Sequence, residues 1–153
     1  MSKYTTKYTQ VNPLLRQAWV NLLNRYEWTW FATLTFRDLP KSYTAINRTN
    51  RWLTAIKKQE KRPIGYYMVT EWFKTQKCPH MHLLMGGLQG VNRSKWWKVW
   101  FTWYGRNRIL EYKKELGCQF YLTKYVIKEE SDIGLFEIKG LQYINQLYFK
   151  GVD

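Results

Sequence analysis

Two β-rich segments separated by a short connection constrain the fold of this chain most. Residues 64–72 follow Pro63, and the second segment runs over 80–85. Both are short, apolar or β-branched, and bounded by turn-forming residues, which is typical of strands. Because only a short polar connection containing Cys78-Pro79 joins them, we expect the two strands to pair antiparallel as a hairpin.

The spacing of apolar residues predicts the other elements. They are a helix over 13–26, a strand over 28–36, a helix beginning at Ser42 and ended by Pro63, a helix over 93–104, a short strand over 108–112, a helix over 118–129 and a strand over 135–138. This mixture of helices with a hairpin predicts an α+β fold, an antiparallel sheet covered by helices. The tail over 139–153 is ambiguous and could include a short helix.

Length and composition indicate one domain in the cytoplasm. The chain has 153 residues and no linker long enough to separate two domains. Two cysteines cannot form a disulfide framework, which favours a reducing compartment. Mean hydropathy is −0.55 and no run approaches the length of a membrane span, so we expect no membrane partner. The phosphate-binding pattern G-x-x-x-x-G-K-[ST] does not occur, so we expect no helicase domain.

Charge and aromatic content point to a nucleic-acid partner. Lys and Arg outnumber Asp and Glu by 25 to 11, and aromatic residues make up 18% of the chain. Cations alternate with aromatic rings over 92–101, and single-stranded nucleic acid binds such surfaces through its phosphates and unstacked bases. For any one Trp the alternative is burial in the core. The predicted DNA-binding residues are Arg48, Arg51, Lys57, Lys58, Arg93, Lys95, Trp96, Trp97, Lys98 and Trp100.

The chain's two histidines define a candidate metal site. His80 and His82 are separated by one residue, so on a strand they project from the same face. Glu71, near the end of the preceding strand, can face them across the hairpin. Two imidazoles and a carboxylate suit a divalent cation. The alternative is that the histidines are ordinary surface or hydrogen-bonded residues and that Glu71 marks a wet strand end.

A second pattern combines tyrosines with lysines. Tyr121 and Tyr125 are four residues apart, and each is followed three residues later by a lysine, Lys124 or Lys128. A tyrosine acting as a nucleophile needs a cation to help, because the pKa of phenol is about 10. Taken alone, the pattern fits an aromatic stripe in the core better than a catalytic site.

Three motifs together resemble the HUH endonuclease superfamily. The run 31–36 (FATLTF) resembles its first motif, 79–84 (PHMHLL) resembles its His-hydrophobe-His motif, and the Tyr-x-x-Lys pattern after Phe120 resembles its third. They occur in the family's order over about 28–130, and the similarity is strongest to rolling-circle replication initiators of small plasmids and single-stranded DNA viruses or phages.

The resemblance implies a fold and a role for each residue. It implies a five-stranded antiparallel sheet flanked by helices, related to the RRM and ferredoxin folds, in one nicking domain over 1–153 with core motifs over 28–138. It implies that His80, His82 and Glu71 bind Mg²⁺ or Mn²⁺. The nucleophile is Tyr125 or Tyr121, with Lys128 or Lys124 beside it. We favour Tyr125, and Tyr121 is then a second nucleophile or a packing residue.

The implied activity is site-specific nicking and joining of single-stranded DNA through a 5′-phosphotyrosine, which starts and ends rolling-circle replication. The implied partners are an origin hairpin, a host helicase and a polymerase, and the chain is expected to be a monomer or weak oligomer. A relaxase or transposase would share this chemistry, although relaxases usually carry three histidines. A non-enzymatic binder of single-stranded nucleic acid is the alternative from a different class.

Overall fold

The computed structural model describes residues 13–73, 78–122, 135–137 and 140. In chain order the elements are α1 (Pro13–Leu23), β1 (Trp30–Leu34), α2 (Ser42–Glu60), β2 (Gly65–Phe73), β3 (Cys78–Gly86), α3 (Arg93–Trp103), β4 (Asn107–Glu111), a 3-10 turn (Lys114–Leu116), α4 (Gly117–Leu122) and β5 (Leu135–Glu137).

All strands pair antiparallel in one sheet, in the order β4-β1-β3-β2-β5. Four strands of five to nine residues form its body, whereas the strand predicted over 135–138 contributes only three residues at the edge beside β2. The predicted α+β class, with helices flanking an antiparallel sheet, is confirmed. The strand that carries both histidines, β3, lies between β1 and β2 in the centre of the sheet.

One face of the sheet is covered by α2 and α3. The buried stripe of α2 repeats every three or four residues, as the sequence predicts, and consists of Ala45, Thr49, Trp52, Leu53 and Ile56. Trp52 meets Trp100 of α3 edge to face, with ring centroids 5.7 Å apart. These side chains pack on Ala32, Leu83 and their neighbours to form the larger core.

The opposite face carries a second, smaller core beneath α1 and α4. Its buried members are Leu23, Tyr26, Trp28, Phe31, Tyr67, Val69, Leu84, Cys118 and Tyr121. Side chains alternate along a strand, so Leu84 shares its face with His82 and His80. The histidines therefore extend this apolar cluster along β3.

Helix ends differ from the sequence predictions in instructive ways. Helix α1 ends at Leu23, three residues early, where the Trp28 indole donates to the Leu23 carbonyl (2.8 Å). The N-cap of α2 is Lys41 rather than Ser42, and the Lys41 side chain makes no capping bond. The helix predicted over 118–129 begins at Gly117, and its part beyond residue 122 lies outside the described residues. Within the described ranges, no helix has the length and apolarity to cross a membrane.

Candidate functional site

Glu71 and His82 come together on one face of the central strands. The register places Glu71 opposite His80 and Val69 opposite His82, so Glu71 and His82 are diagonal neighbours. His82 Nε2 lies 3.7 Å from Glu71 Oε1. Both residues are only 3% exposed. Because a buried carboxylate is unfavourable unless a cation or hydrogen bonds compensate for it, this position indicates a functional arrangement.

The first strand fixes the other side of the His82 ring. Thr33, opposite His82 in the β1–β3 register, places its Oγ1 3.3 Å from His82 Nδ1. The ring of Phe31 lies nearly parallel to the imidazole, with an 8° angle and centroids 6.4 Å apart. A hydrogen bond at one ring nitrogen sets the tautomer and aims the other nitrogen. Here the nitrogen aimed at Glu71 is Nε2.

His80 lies at the more open end of the same row. It is half-buried, directly opposite Glu71. Partial burial and the charge of His82 lower the pKa of His80, and Glu71 acts in the opposite direction. Within the part of the chain that the structure describes, no three His, Cys, Asp or Glu side chains form a group that could hold a metal ion. The predicted trio is thus observed as one close pair with His80 beside it.

The geometry of the close pair fits ligands of one cation. Ligand atoms about 2.1 Å from a metal are separated from each other by about 3 to 3.5 Å at octahedral or tetrahedral angles. The separation of 3.7 Å between Nε2 and Oε1 is near that range and longer than a good hydrogen bond. An imidazole oriented by a hydroxyl group and an anionic oxygen form a donor set for a divalent cation such as Mn²⁺ or Mg²⁺.

The structure assigns Tyr121 to the second core. It is 6% exposed, and its ring packs on Phe31 and Tyr112 at centroid distances of 5.0 and 4.8 Å. Its hydroxyl oxygen accepts a hydrogen bond from the Lys113 backbone N–H (2.8 Å). The other predicted catalytic residues, Tyr125, Lys124 and Lys128, lie outside the described residues.

Two arginines beside the site were missed by sequence reasoning. Arg108 on β4 pairs with Thr33, so Arg108, Thr33 and His82 form one row across three strands. Arg106 lies two residues earlier, where its carbonyl accepts from the Thr35 backbone N–H and hydroxyl. Both arginines are exposed. Their signal was the Arg-x-Arg alternation at 106–108, which places two cations on one face of a strand.

The prediction that Trp96 and Trp100 bind DNA is wrong. Both side chains are fully buried. The Trp96 indole donates to Glu60 Oε1 (2.9 Å), and the Trp100 indole donates to the Thr35 carbonyl (2.9 Å). Positions 96 and 100 are four residues apart on the inward side of α3, so both rings pack into the core and cannot stack on bases.

The remaining predicted DNA-binding residues differ in their availability. Arg48 makes a bidentate pair with Asp38, with N–O distances of 2.7 and 2.9 Å, and this pairing lowers the pKa of Asp38. Lys95 lies 3.5 Å from Glu60, Arg93 donates to the Ile109 carbonyl, and Lys57 lies over the ring of Tyr66. The exposed members of the predicted set are Arg51, Lys58, Lys95, Trp97 and Lys98.

The outer surface of α3 carries aromatic rings that the sequence analysis did not single out. Trp97 and Phe101 stack nearly parallel, at 7° and 5.1 Å between centroids. Trp97, Phe101 and Trp103 are 38%, 43% and 43% exposed. The spacing of four between Trp97 and Phe101 could have identified a pair on one helical face.

Fold and site together define an α+β protein with a buried carboxylate–imidazole pair on the central strands of an antiparallel sheet. Comparison with protein families matches residues 29–130 to the family of replication-associated proteins of the ORF2 type. The match spans two thirds of the chain and includes β1, the hairpin and α4. This chain belongs to that replication-associated protein family. Comparison with curated proteins and with solved structures gave no significant match.

Proposed function

We propose that this chain is a replication initiator of the HUH endonuclease type, which nicks and rejoins single-stranded DNA. The observation that carries the proposal is the buried pair of Glu71 and His82, 3.7 Å apart inside the region that matches the replication-associated family. A replication protein has a use for a cation site beside DNA, and strand nicking is the reaction that would start rolling-circle synthesis.

Glu71, His82 and His80 would hold Mg²⁺ or Mn²⁺. Such a cation withdraws negative charge from a phosphate and so favours attack on phosphorus. Glu71 contributes the negative charge, and Thr33 aims His82 Nε2 toward it. His80, half-buried at the open end of the row, is the ligand most accessible to an incoming strand.

The proposed nucleophile is Tyr125. Its phenolic oxygen forms a bond to the scissile phosphorus, the bond to the 3′ oxygen breaks, and that oxygen leaves as a 3′-OH after net transfer of the phenolic proton. The products are a 5′-phosphotyrosine and a 3′ end that can prime synthesis or reverse the reaction. Lys128 would stabilise the developing charge, a role for which Lys124 is the alternative.

The position of Tyr121 supports this choice. Its hydroxyl is bound at Lys113, just beyond the end of β4, whereas the row containing His82 crosses β4 at Arg108. Tyr112, the residue before Lys113, is four residues past Arg108, which is about 13 Å along a strand. We infer that Tyr121 is a packing residue.

The proposed partners follow from the reaction. The substrate is a single-stranded origin region, presented as a hairpin, and replication would require a cellular helicase and polymerase in the cytoplasm. One nicking reaction needs one chain, so a monomer or weak oligomer suffices.

Adduct formation tests the proposal. Labelled single-stranded oligonucleotides that tile the DNA flanking the gene are incubated with the purified chain and Mn²⁺, and complexes stable to SDS are separated by electrophoresis. We expect an adduct with the unmodified chain and with Tyr121→Phe, the matched control, and none with Tyr125→Phe or without metal. Mass spectrometry of the adduct identifies the modified tyrosine. An adduct on Tyr121 would overturn the ranking.

A non-enzymatic binder is the second candidate, since the described residues include no complete three-ligand group. A mobility shift without an adduct on any tiled oligonucleotide favours that candidate. A relaxase or transposase would give the same adduct, and the identity of the joined products distinguishes them from an initiator.

A further inference from the structure

We propose that the DNA strand next to the scissile phosphate leaves the site over the β4 edge of the sheet and stacks a base on the Trp97–Phe101 pair. This inference rests on the proposed function, because the strand it describes is the substrate of that reaction. Its parts are a phosphate-binding pair of arginines and an aromatic platform, joined by the three-residue segment 106–108.

The first part of the path is the row from His82 to Arg108. Neighbouring strands lie about 4.8 Å apart, so Arg108 is about 10 Å from His82 across Thr33. Arg106 follows at the next position on the same face, and both side chains are exposed. A phosphate next to the one at His82 would meet these guanidinium groups first, since β4 is the edge strand.

The second part is held to the same strand from the other side. The Trp97 indole donates to the Asn107 carbonyl (2.9 Å), and the Asn107 side-chain amide donates to the Trp97 carbonyl (3.0 Å). Asn107 separates the two arginines and projects to the opposite face of the strand. The platform therefore begins where the arginine pair ends, around one edge of the sheet.

The platform is ordered before any base arrives. Phe101 stacks on Trp97, and the Arg37 guanidinium lies 5.6 Å from the Phe101 ring centroid while it donates to the Phe101 and Thr102 carbonyls (2.6 and 2.8 Å). Ordered rings bind a base with little loss of conformational entropy. The cations around them favour an anionic occupant, and DNA supplies both the phosphates and the flat apolar groups that this surface suits.

Fluorescence anisotropy with labelled oligothymidylate tests the path without requiring cleavage. Binding of dT20 and dT4 is measured in EDTA for the full chain and its variants. We expect Phe101→Ala and Trp97→Ala to weaken dT20 binding roughly fivefold to a hundredfold, the range for loss of one stacked base. Trp97→Phe should stay within about threefold of the unmodified chain, because it keeps an aromatic ring. The exposed Tyr43→Ala on α2 is the matched control and should bind normally.

Length and salt dependence separate the two parts. Only dT20 can reach from the site to the platform, so the aromatic variants should leave dT4 binding unchanged. Arg106→Gln and Arg108→Gln should each reduce the slope of log affinity against log salt by about 0.7, while the aromatic variants keep the slope. Arg25→Gln, at an exposed position after α1, is the charge control.

Three results would overturn the inference. They are dT20 binding by Phe101→Ala and Trp97→Ala within twofold of the unmodified chain, an equal loss in Tyr43→Ala, and a dimer of the unmodified chain that Phe101→Ala converts to monomer. The first two refute the platform, and the third assigns these rings to a protein interface. Each readout is independent of adduct formation, so failure of the nicking proposal alone would leave the binding results unchanged.

Discussion

Thr33 is the residue through which the first strand controls the imidazole of His82. Its hydroxyl lies 3.3 Å from His82 Nδ1, opposite the nitrogen that faces Glu71. Groups that bond the second nitrogen of a ligating histidine fix its orientation, and their loss typically weakens metal binding tenfold to a hundredfold. Thr33 belongs to the F-x-T-L-T-F pattern, which gives this sequence motif a physical role.

Thr33→Val should therefore weaken Mn²⁺ binding by about tenfold or more, while Thr33→Ser restores it. Valine keeps the shape and the β propensity of threonine but offers no oxygen. Binding is followed as the rise in melting temperature during a Mn²⁺ titration, which reports affinity without catalysis. Equal titration curves for Thr33→Val and the unmodified chain would show that Thr33 does not orient the ligand.

The Cys118 thiol couples stability to alkaline pH. Burial raises its pKa from 9.0 to about 11, against smaller opposite effects of Tyr112 and Trp28. A raised pKa favours the folded state fully below about pH 9, and this contribution is lost as pH rises toward 11. Two units correspond to about 2 to 3 kcal/mol.

We expect the free energy of unfolding of the unmodified chain to fall by about 2 kcal/mol between pH 8.5 and 10.5 from this thiol. Urea denaturation at both pH values measures the fall, and Cys118→Ala provides the comparison. The alanine variant is less stable at pH 8.5 because it loses packing, but its further loss at pH 10.5 should be smaller. Parallel losses in both proteins would contradict the coupling.

At the scale of elements, α3 shows why sequence alone could not separate its tryptophans. The run 96–101 contains four aromatic residues, and the choice of inward side depends on where α3 crosses the sheet. The structure buries Trp96 and Trp100 and exposes Trp97. The α2 stripe was predictable because its other face is almost entirely charged, which leaves only one side for the core.

The two kinds of tryptophan should differ in their effect on stability. Trp100→Phe removes volume from the core and leaves the part-buried Thr35 carbonyl without its indole donor, so it should cost about 2 to 4 kcal/mol. Trp97→Phe, the matched surface change, loses one exposed hydrogen bond and should cost about 1 kcal/mol. Urea denaturation at pH 7.5 compares them, and equal costs would place both rings in similar environments.

Gly105 makes the sharp turn that carries the chain from α3 into β4. Its φ is +148°, and a Cβ there would lie 2.8 Å from the Arg37 nitrogen and 3.1 Å from the Phe36 carbonyl carbon. Both neighbours are backbone atoms, which cannot move aside cheaply. The turn thus sets where Arg106 and Arg108 enter the sheet.

Gly105→Ala should destabilise the fold by about 3 kcal/mol or more, from clash and strain together. Gly90→Ala is the control: its φ is +76°, but no described atom lies within 4 Å of the added Cβ. It should cost only about 1 kcal/mol, the strain of a left-handed residue. Thermal melts of the two variants test the difference, which comparable melting temperatures would rule out.

At the scale of the whole molecule, sequence predicted the class of fold and the close pair better than the surface. The hairpin fixed Glu71 opposite His80, since short connections force antiparallel pairing and alternation decides the face. The arginine row at the β4 edge required the β1–β4 register, a pairing between strands 73 residues apart at Leu34 and Asn107. Local patterns do not determine such long-range pairings, so the path around the edge was not predictable.

The excess of basic residues should govern DNA binding by the whole chain. A formal net charge of +14 attracts any single strand, and each neutralised phosphate releases counterions. With about five phosphates contacted, log affinity should fall with log salt at a slope of about −3.5. The affinity for dT20 would then drop roughly a hundredfold between 50 and 200 mM salt. Anisotropy titrations measure the slope, and His82→Ala should leave it unchanged because His82 is buried beside Glu71 rather than at a phosphate-binding surface. A slope near zero would mean that aromatic stacking, and not charge, dominates the affinity.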